Sequence, residues 1–497
     1  MNPLIASAND LIWGSILVYL LLGAGIYFTL RTGVIQFRRL GFSFRALLGS
    51  RQTTGNGISS FQAFCTSLAA RVGTGNLAGV AMALYLGGPG AIFWMWVIAL
   101  LGMSSSLMEN TLAQLYKTSN GDGTFRGGPS YYIEKALGQR WLGITFSICL
   151  IIAFGLAFNS VQSNSIAAAM HNAFDVTPWV SGVLVAIVTT LIVFGGIRSI
   201  SRFAEIVVPF MALAYIAVAL FIVITHLSEM PAVFRLIFDS AFGIGSAAAG
   251  GTGYLVSQAI MQGVKRGLFS NEAGMGSAPN AAATATPNPP HPVTQGIIGM
   301  AGVFIDTIVI CTATAAIVLV SGQLESGSGL QGIALTQNAL SSLVGSWGSD
   351  FIAIAILLFA FTSIIANYYY GESNLRFIID RQWAVVIYRL AVLGMVIYGA
   401  IASLPVVWSL ADLSMGMMAI INVIALLLLS GIVFRVIKDF EQQVDRGEIP
   451  CFDRRKFEFL DRTLDADVWD KTPEEAREAL TNEQDADASE TSPARQS

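Results

Sequence analysis

Reactive side chains are scarce in this chain. His171, His226 and His291 are its only histidines, and none lies well inside an apolar run. It has no His-Glu-x-x-His pair for zinc and no Gly-x-Ser-x-Gly nucleophile turn, so an intramembrane hydrolase is poorly supported. It also lacks a Gly-Lys-Ser/Thr phosphate loop, which argues against an ATP-driven cycle within the chain. Cys65, Cys149 and Cys311 stand singly in apolar runs and Cys451 in a polar tail. That spacing suits neither a disulfide framework nor a metal centre. Charge is the largest deficit. Only 12% of the 497 residues are Asp, Glu, Lys or Arg, where a soluble domain carries roughly 25%. No cofactor and no nucleic-acid partner are expected.

What fills the chain instead is apolar. Hydrophobic residues make up 54%, the mean hydropathy is +0.63 and there are 49 glycines, the composition of closely packed membrane helices. Apolar runs recur near 11–30, 58–86, 90–116, 141–170, 178–196, 204–225, 241–264, 295–321, 350–371, 383–403 and 412–437. About 20 residues suffice for one crossing, so about eleven spans are predicted. The first run follows Asp10 without a basic stretch, and reads as an anchor helix rather than a cleaved signal peptide. Basic residues alternate between loops. Arg31, Arg38, Arg39, Arg45 and Arg51 follow the first span; Lys117, Arg126, Lys135 and Arg140 the third; Arg198 and Arg202 the fifth. Lys265 and Arg266 follow the seventh, Arg376 and Arg381 the ninth, and Arg435 and Lys438 the last. The alternation predicts an N-terminus outside and a C-terminus in the cytoplasm.

Two spans are interrupted. The second carries Arg71, Gly73, Thr74, Gly75 and Asn76 in mid-run, and the seventh carries Gly250, Gly251, Thr252 and Gly253. Irregular backbone at membrane depth survives only where it lines a cavity or is packed in protein. The two interruptions lie five spans apart, so each opens a five-helix block, and an odd number of crossings inverts the second block relative to the first. Matching breaks in inverted halves point to a transporter's midplane site. The predicted organisation is an anchor helix and basic cytoplasmic loop (1–57), a first repeat (58–225), a second repeat (226–438) with an extracellular cap segment near 322–350, and an acidic cytoplasmic tail (439–497) whose end is expected to be disordered.

A helix that unwinds and restarts exposes N–H groups on one side and carbonyls on the other. Gly73, Thr74 and Gly75 can bring N–H groups up to a carboxylate, while the carbonyls face an ammonium or a sodium ion. Packing through Gly75 and Gly79 is the alternative use of these glycines. The Gly73-Thr74-Gly75 stretch is not a dinucleotide loop, since no βαβ unit surrounds it. In the ninth span, Thr362 and Ser363 offer adjacent hydroxyl oxygens to a hard cation, or bond back to their own helix. Arg71, Glu109, Asp306 and Asp412 are ionisable residues within spans, where charge is costly and usually functional. Arg71 and Asp306 are candidates for an ion pair, with a proton relay at Asp306 as the alternative. Glu372 and Lys265 are candidates for an inner gate.

The segment Gly57-Ile58-Ser59-Ser60-Phe61-Gln62-Ala63 through Val72-Gly73-Thr74-Gly75-Asn76-Leu77-Ala78-Gly79-Val80-Ala81 resembles the alanine or glycine:cation symporter family. So do Gly87-Gly88-Pro89-Gly90-Ala91-Ile92-Phe93-Trp94-Met95-Trp96 and the block from Lys265-Arg266-Gly267 through Asn271-Glu272-Ala273-Gly274-Met275-Gly276-Ser277-Ala278-Pro279. The resemblance implies an all-α polytopic fold of the LeuT type, with inverted five-helix repeats and one extra helix in front. It implies sodium-coupled uptake of alanine or glycine across a bacterial or archaeal cytoplasmic membrane. A proton-coupled carrier, or one for a larger neutral amino acid such as glutamine, is the alternative. It further places the substrate carboxylate at Thr74 and Gly75. Sodium falls at the carbonyls of Ala69 and Val72 and the hydroxyls of Thr362 and Ser363. Gly73, Asn76, Gly250, Gly251 and Thr252 complete the expected substrate site, with Phe154 and Phe158 as its walls or gates. Lipid surrounds the protein, and the oligomeric state is left open, function as a monomer being plausible.

Overall fold

The computed structural model describes residues 3–51, 57–244, 252–324, 329–460 and 462–478. Eight of its helices are long and apolar enough to cross a membrane: α1 (Pro3–Arg31), α4 (Gly90–Leu115), α6 (Arg140–Phe174), α8 (Gly196–Thr225), α12 (Pro292–Val320), α14 (Trp347–Ile378), α15 (Gln382–Ile401) and α16 (Leu404–Asp445). Three further units lie between them in the chain. They are the broken helix α2 (Ser60–Arg71) and α3 (Gly75–Gly87), the shorter α7 (Pro178–Val193), and α10 (Thr252–Asn271). Short helices α5 (Pro129–Leu137), α9 (Met230–Phe242), α11 (Pro279–Ala282) and α13 (Ile333–Val344) lie in the connections.

Two stretches of the chain share an order of elements. In each, a broken helix is followed by one long helix, then a short connecting helix (α5 or α13), then another long helix. The strands are two-residue patches: β1 (Ile58–Ser59) pairs parallel with β4 (Ala285–Thr286), and β2 (Thr118–Ser119) pairs antiparallel with β3 (Phe125–Arg126). α1 stands outside the repeats and packs on α16, where the Trp13 indole N–H donates to the Asp412 carbonyl at 3.1 Å.

Lipid tails give helices no hydrophobic reason to associate, so close contact between small residues carries the packing. α12 shows this against α4. A Cβ on Gly296 would lie 2.3 Å from Thr111 Oγ1, and one on Gly299 would lie 2.1 Å from Asn110 Nδ2. The start of α2 is fixed locally by a capping box, with Gln62 N–H on Ser59 Oγ at 3.0 Å and Ser59 N–H on Gln62 Oε1 at 3.2 Å.

The predicted interruption of the seventh span at 250–253 falls largely outside the described residues. Gly250 and Gly251 lie outside the described residues. Thr252 begins α10, and Gly253 lies within it with open space where a Cβ would stand. The described break follows Asn271, where Glu272, Gly274 and Gly276 take φ of 57°, 84° and 87°. Two of these three left-handed positions are glycine, the residue that adopts them without strain.

Candidate functional site

α2 ends at Arg71 and Val72 leaves helical geometry at φ −78°, ψ 84°. The chain re-enters helix at Gly75 through widened, π-type turns over Gly75–Gly79. The same widening occurs at Ile151–Phe158 in α6 and Phe304–Cys311 in α12. Such turns are rare and are frequent at functional sites, and these three carry Asn76, Phe154, Phe158 and Asp306.

The exposed N–H groups of the break are taken up by side chains. Gly73 N–H donates to Asn76 Oδ1 at 3.0 Å. Thr74 N–H and Thr74 Oγ1 both donate to Gln162 Oε1, at 2.9 and 2.7 Å. An acceptor oxygen therefore already rests on the Thr74 N–H, one of the two N–H groups, with that of Gly75, expected to meet a carboxylate. Gly75 faces protein, since a Cβ there would stand 2.9 Å from Ser270 Cα and 3.2 Å from the Phe269 ring. Close packing against α10 is thus one reason for glycine at 75.

On the other side of Gly73 lies a set of neutral oxygens. Ser363 Oγ is 2.8 Å from the Ala69 carbonyl and 3.0 Å from the Phe359 carbonyl. Thr362 Oγ1 donates to the same Phe359 carbonyl at 2.9 Å and approaches Met211 Sδ at 3.8 Å. Carbonyl and hydroxyl oxygens without a carboxylate suit a hard monovalent cation. Ala69, Thr362 and Ser363 are therefore brought together, and Phe359, which the sequence reading missed, joins them.

Deeper in the bundle lie ionised-type groups that are fully or nearly fully buried. Asp306 accepts from Asn76 Nδ2 at 2.7 Å, Ser270 Oγ at 2.9 Å and Thr307 Oγ1 at 2.7 Å. Arg71 donates instead to the Gly299 carbonyl at 3.2 Å and Ser106 Oγ at 3.4 Å, so the expected Arg71–Asp306 pair is not formed. Glu109 holds the second break. Its two carboxylate oxygens accept the N–H groups of Gly274 and Gly276, each at 3.1 Å. Asn422 braces both partners, donating to Glu109 at 3.0 Å and to the Gly274 carbonyl at 2.9 Å.

An aromatic column closes one end of the site. Phe154 stacks on Phe158 at 4.5 Å, Phe158 on Phe269 at 4.4 Å, and Phe269 meets Trp408 at 4.7 Å. The Arg266 guanidinium lies 4.4 Å above Trp408 and makes a two-pronged pair with Asp412, both contacts at 3.0 Å. Lys265 joins Asp412 at 2.9 Å. Lys265 and Arg266 are therefore helix residues in α10 rather than loop residues. Glu372 pairs with Arg376 at 2.7 Å and Arg389 at 3.9 Å, so the expected Glu372–Lys265 gate is not formed. The distance in sequence between helix ends had concealed that Lys265 and Glu372 belong to different ends of the bundle.

Among solved structures, the fold is similar to that of MhsT in complex with L-phenylalanine, with a TM-score of 0.57 and 14% identity over 76% of this chain and 90% of that one. It is a LeuT-type fold. The chain is 50% identical to a probable sodium/glutamine symporter of Bacillus subtilis, over 91% of this chain and 93% of the relative. It is 42% identical to a sodium/alanine symporter of Methanococcus maripaludis, over 88% of this chain and 97% of the relative. A model of the sodium:alanine symporter family matches residues 1–454. The broken helices, the burial of the site and this match lead to one conclusion: the chain belongs to the sodium:alanine symporter family and is a multi-pass membrane transporter, not an enzyme.

Proposed function

We propose that this protein carries small neutral amino acids, alanine or glycine, into the cell together with sodium by alternating access. One observation supports this reading above the others. Gly73 stands between a donor set and an acceptor set. A Cβ at that position would lie 2.3 Å from Ser363 Oγ and 3.0 Å from Gln162 Oε1. The Thr74 donors suit a substrate carboxylate, which would displace Gln162. The Ala69, Val72 and Phe359 carbonyls with the Thr362 and Ser363 hydroxyls suit sodium. Opposite charges on two cargoes side by side give each a reason to bind more tightly when the other is present.

The remaining assignments follow the same reading. Gly250, Gly251 and Thr252 stay candidates for the substrate site by resemblance. The Phe158, Phe269 and Trp408 column with the Arg266–Asp412 pair serves as the outer gate, and the end carrying Arg38, Arg126 and Arg376 faces the cytoplasm by the positive-inside rule. The relative named for glutamine supports a larger neutral substrate as the second reading.

Uptake of labelled alanine into proteoliposomes, with a panel of competing amino acids, tests the proposal. An inward sodium gradient is expected to drive accumulation above equilibrium, with alanine and glycine as the strongest competitors. Accumulation driven by a pH gradient alone would replace sodium with protons. Glutamine outcompeting alanine would move the assignment to the larger substrate.

A further inference from the structure

The chain does not trail away after α16. Apart from residue 461, residues 447–478 are described, and they fold back over the basic end of the bundle. Phe452, Phe457, Leu460, Leu464 and Val468 are buried there. Phe452 N–H donates to the Pro290 carbonyl at 3.0 Å, and its ring packs against His291 at 5.6 Å and Trp469 at 5.4 Å. Trp469 lies 5.1 Å from Lys117 Nζ and donates its indole N–H to the Gln114 carbonyl at 3.2 Å. Asp465 reaches Lys135 of α5 at 3.8 Å. Most of this segment lies beyond the part of the chain that matches the family.

These anchors are mechanically close to the ion site. Lys117 Nζ donates to the Ala285 carbonyl at 2.7 Å, and Gln114 Nε2 does so at 3.0 Å. Ala285 belongs to β4 and is in register with Ile58 of β1. β1 runs directly into α2 through the Ser59 capping box, and α2 carries Ala69 at its far end. In alternating access, the basic end of α2 must part from its neighbours for cargo to leave. A segment that fixes β4 therefore also restrains β1 and, through it, α2.

We propose that residues 451–460 and 462–469 form a built-in strap that restrains the opening of α2 at the basic end, with Trp469 on Lys117 as its clasp. The inference rests on the alternating-access reading. Cys65 provides a direct readout, because it sits on α2 and is fully buried. With Cys149, Cys311 and Cys451 replaced by serine, its rate of alkylation by a maleimide reports how often α2 opens.

Trp469→Ala, and truncation after Leu460, are expected to speed that reaction by about fivefold or more, the low end of ordinary coupling between sites. Trp469→Phe keeps a ring over Lys117 and is expected to stay within about twofold of the parent. Equal rates in the parent, Trp469→Ala and the truncated chain would overturn the proposal. If the truncated chain no longer elutes as a single species, Trp469→Ala decides by the same criterion. Transport that proved independent of sodium would remove the functional reading without touching the Cys65 rates, so the two fail separately.

Discussion

Thr362 and Ser363 are neighbours with unequal positions. Ser363 Oγ meets both the Ala69 and the Phe359 carbonyls, whereas Thr362 Oγ1 reaches Phe359 alone among backbone oxygens. Ser363→Ala is therefore expected to weaken sodium activation more than Thr362→Ala. Loss of one ligand oxygen is put at about 1–3 kcal/mol, a roughly 5- to 150-fold rise in half-saturating sodium. Sodium titration of alanine uptake checks the order, and equal effects of the two substitutions would contradict it. The hydroxyl pair was legible in the sequence because two polar oxygens in an apolar helix stand out. Phe359 was not, since it contributes only a backbone carbonyl and every residue has one. Gln162 was missed because α6 carries a crowd of polar residues, Asn159 to Ser165, and only the fold shows which one reaches Thr74. Gly75 carries a second lesson. It touches α10, so a bulky residue there disturbs packing and binding together.

At the scale of the element, the two breaks are held by different means. The first relies on Asn76 and Gln162 side chains. The second relies on Glu109, which accepts two N–H groups that its own helix cannot serve. Glu109→Ala leaves both N–H groups buried without a partner, at about 1–3 kcal/mol each. The expected result is a loss of about 2–6 kcal/mol of stability, seen as a lower unfolding temperature of the detergent-purified protein. An unchanged unfolding temperature would show that water or a neighbour replaces the carboxylate. The first break was legible because polar residues and glycines coincide inside one apolar run. The break after Asn271 was not legible because its glycines follow the end of the apolar run, while residues 250–253 show the more obvious cluster.

For the whole molecule, the tail ties the basic end together through a buried amine. Burial pushes Lys117 from its ordinary 10.5 down to about 7, and no ion pair opposes this among the described residues. The sign follows directly. Between about 7 and 10.5 the unfolded chain holds the proton that the folded chain has given up. Stability is then expected to rise with pH across that window and to level off below it, where both states are protonated. Unfolding temperatures at several pH values check this, and Lys117→Met is expected to flatten the slope. The same slope in Lys117→Met would assign it to another group.

The sequence by itself determined the membrane class, the first break and the hydroxyl pair. Each of these is a local contrast of polar against apolar residues, set by what a bilayer excludes. Only the tertiary structure decided what those residues meet. It set Gln162 on Thr74, Glu109 on the second break, Asp412 rather than Glu372 opposite Lys265, and Trp469 over Lys117. Those partners lie tens to hundreds of residues apart, and no local pattern encodes which helix faces which until the bundle has packed.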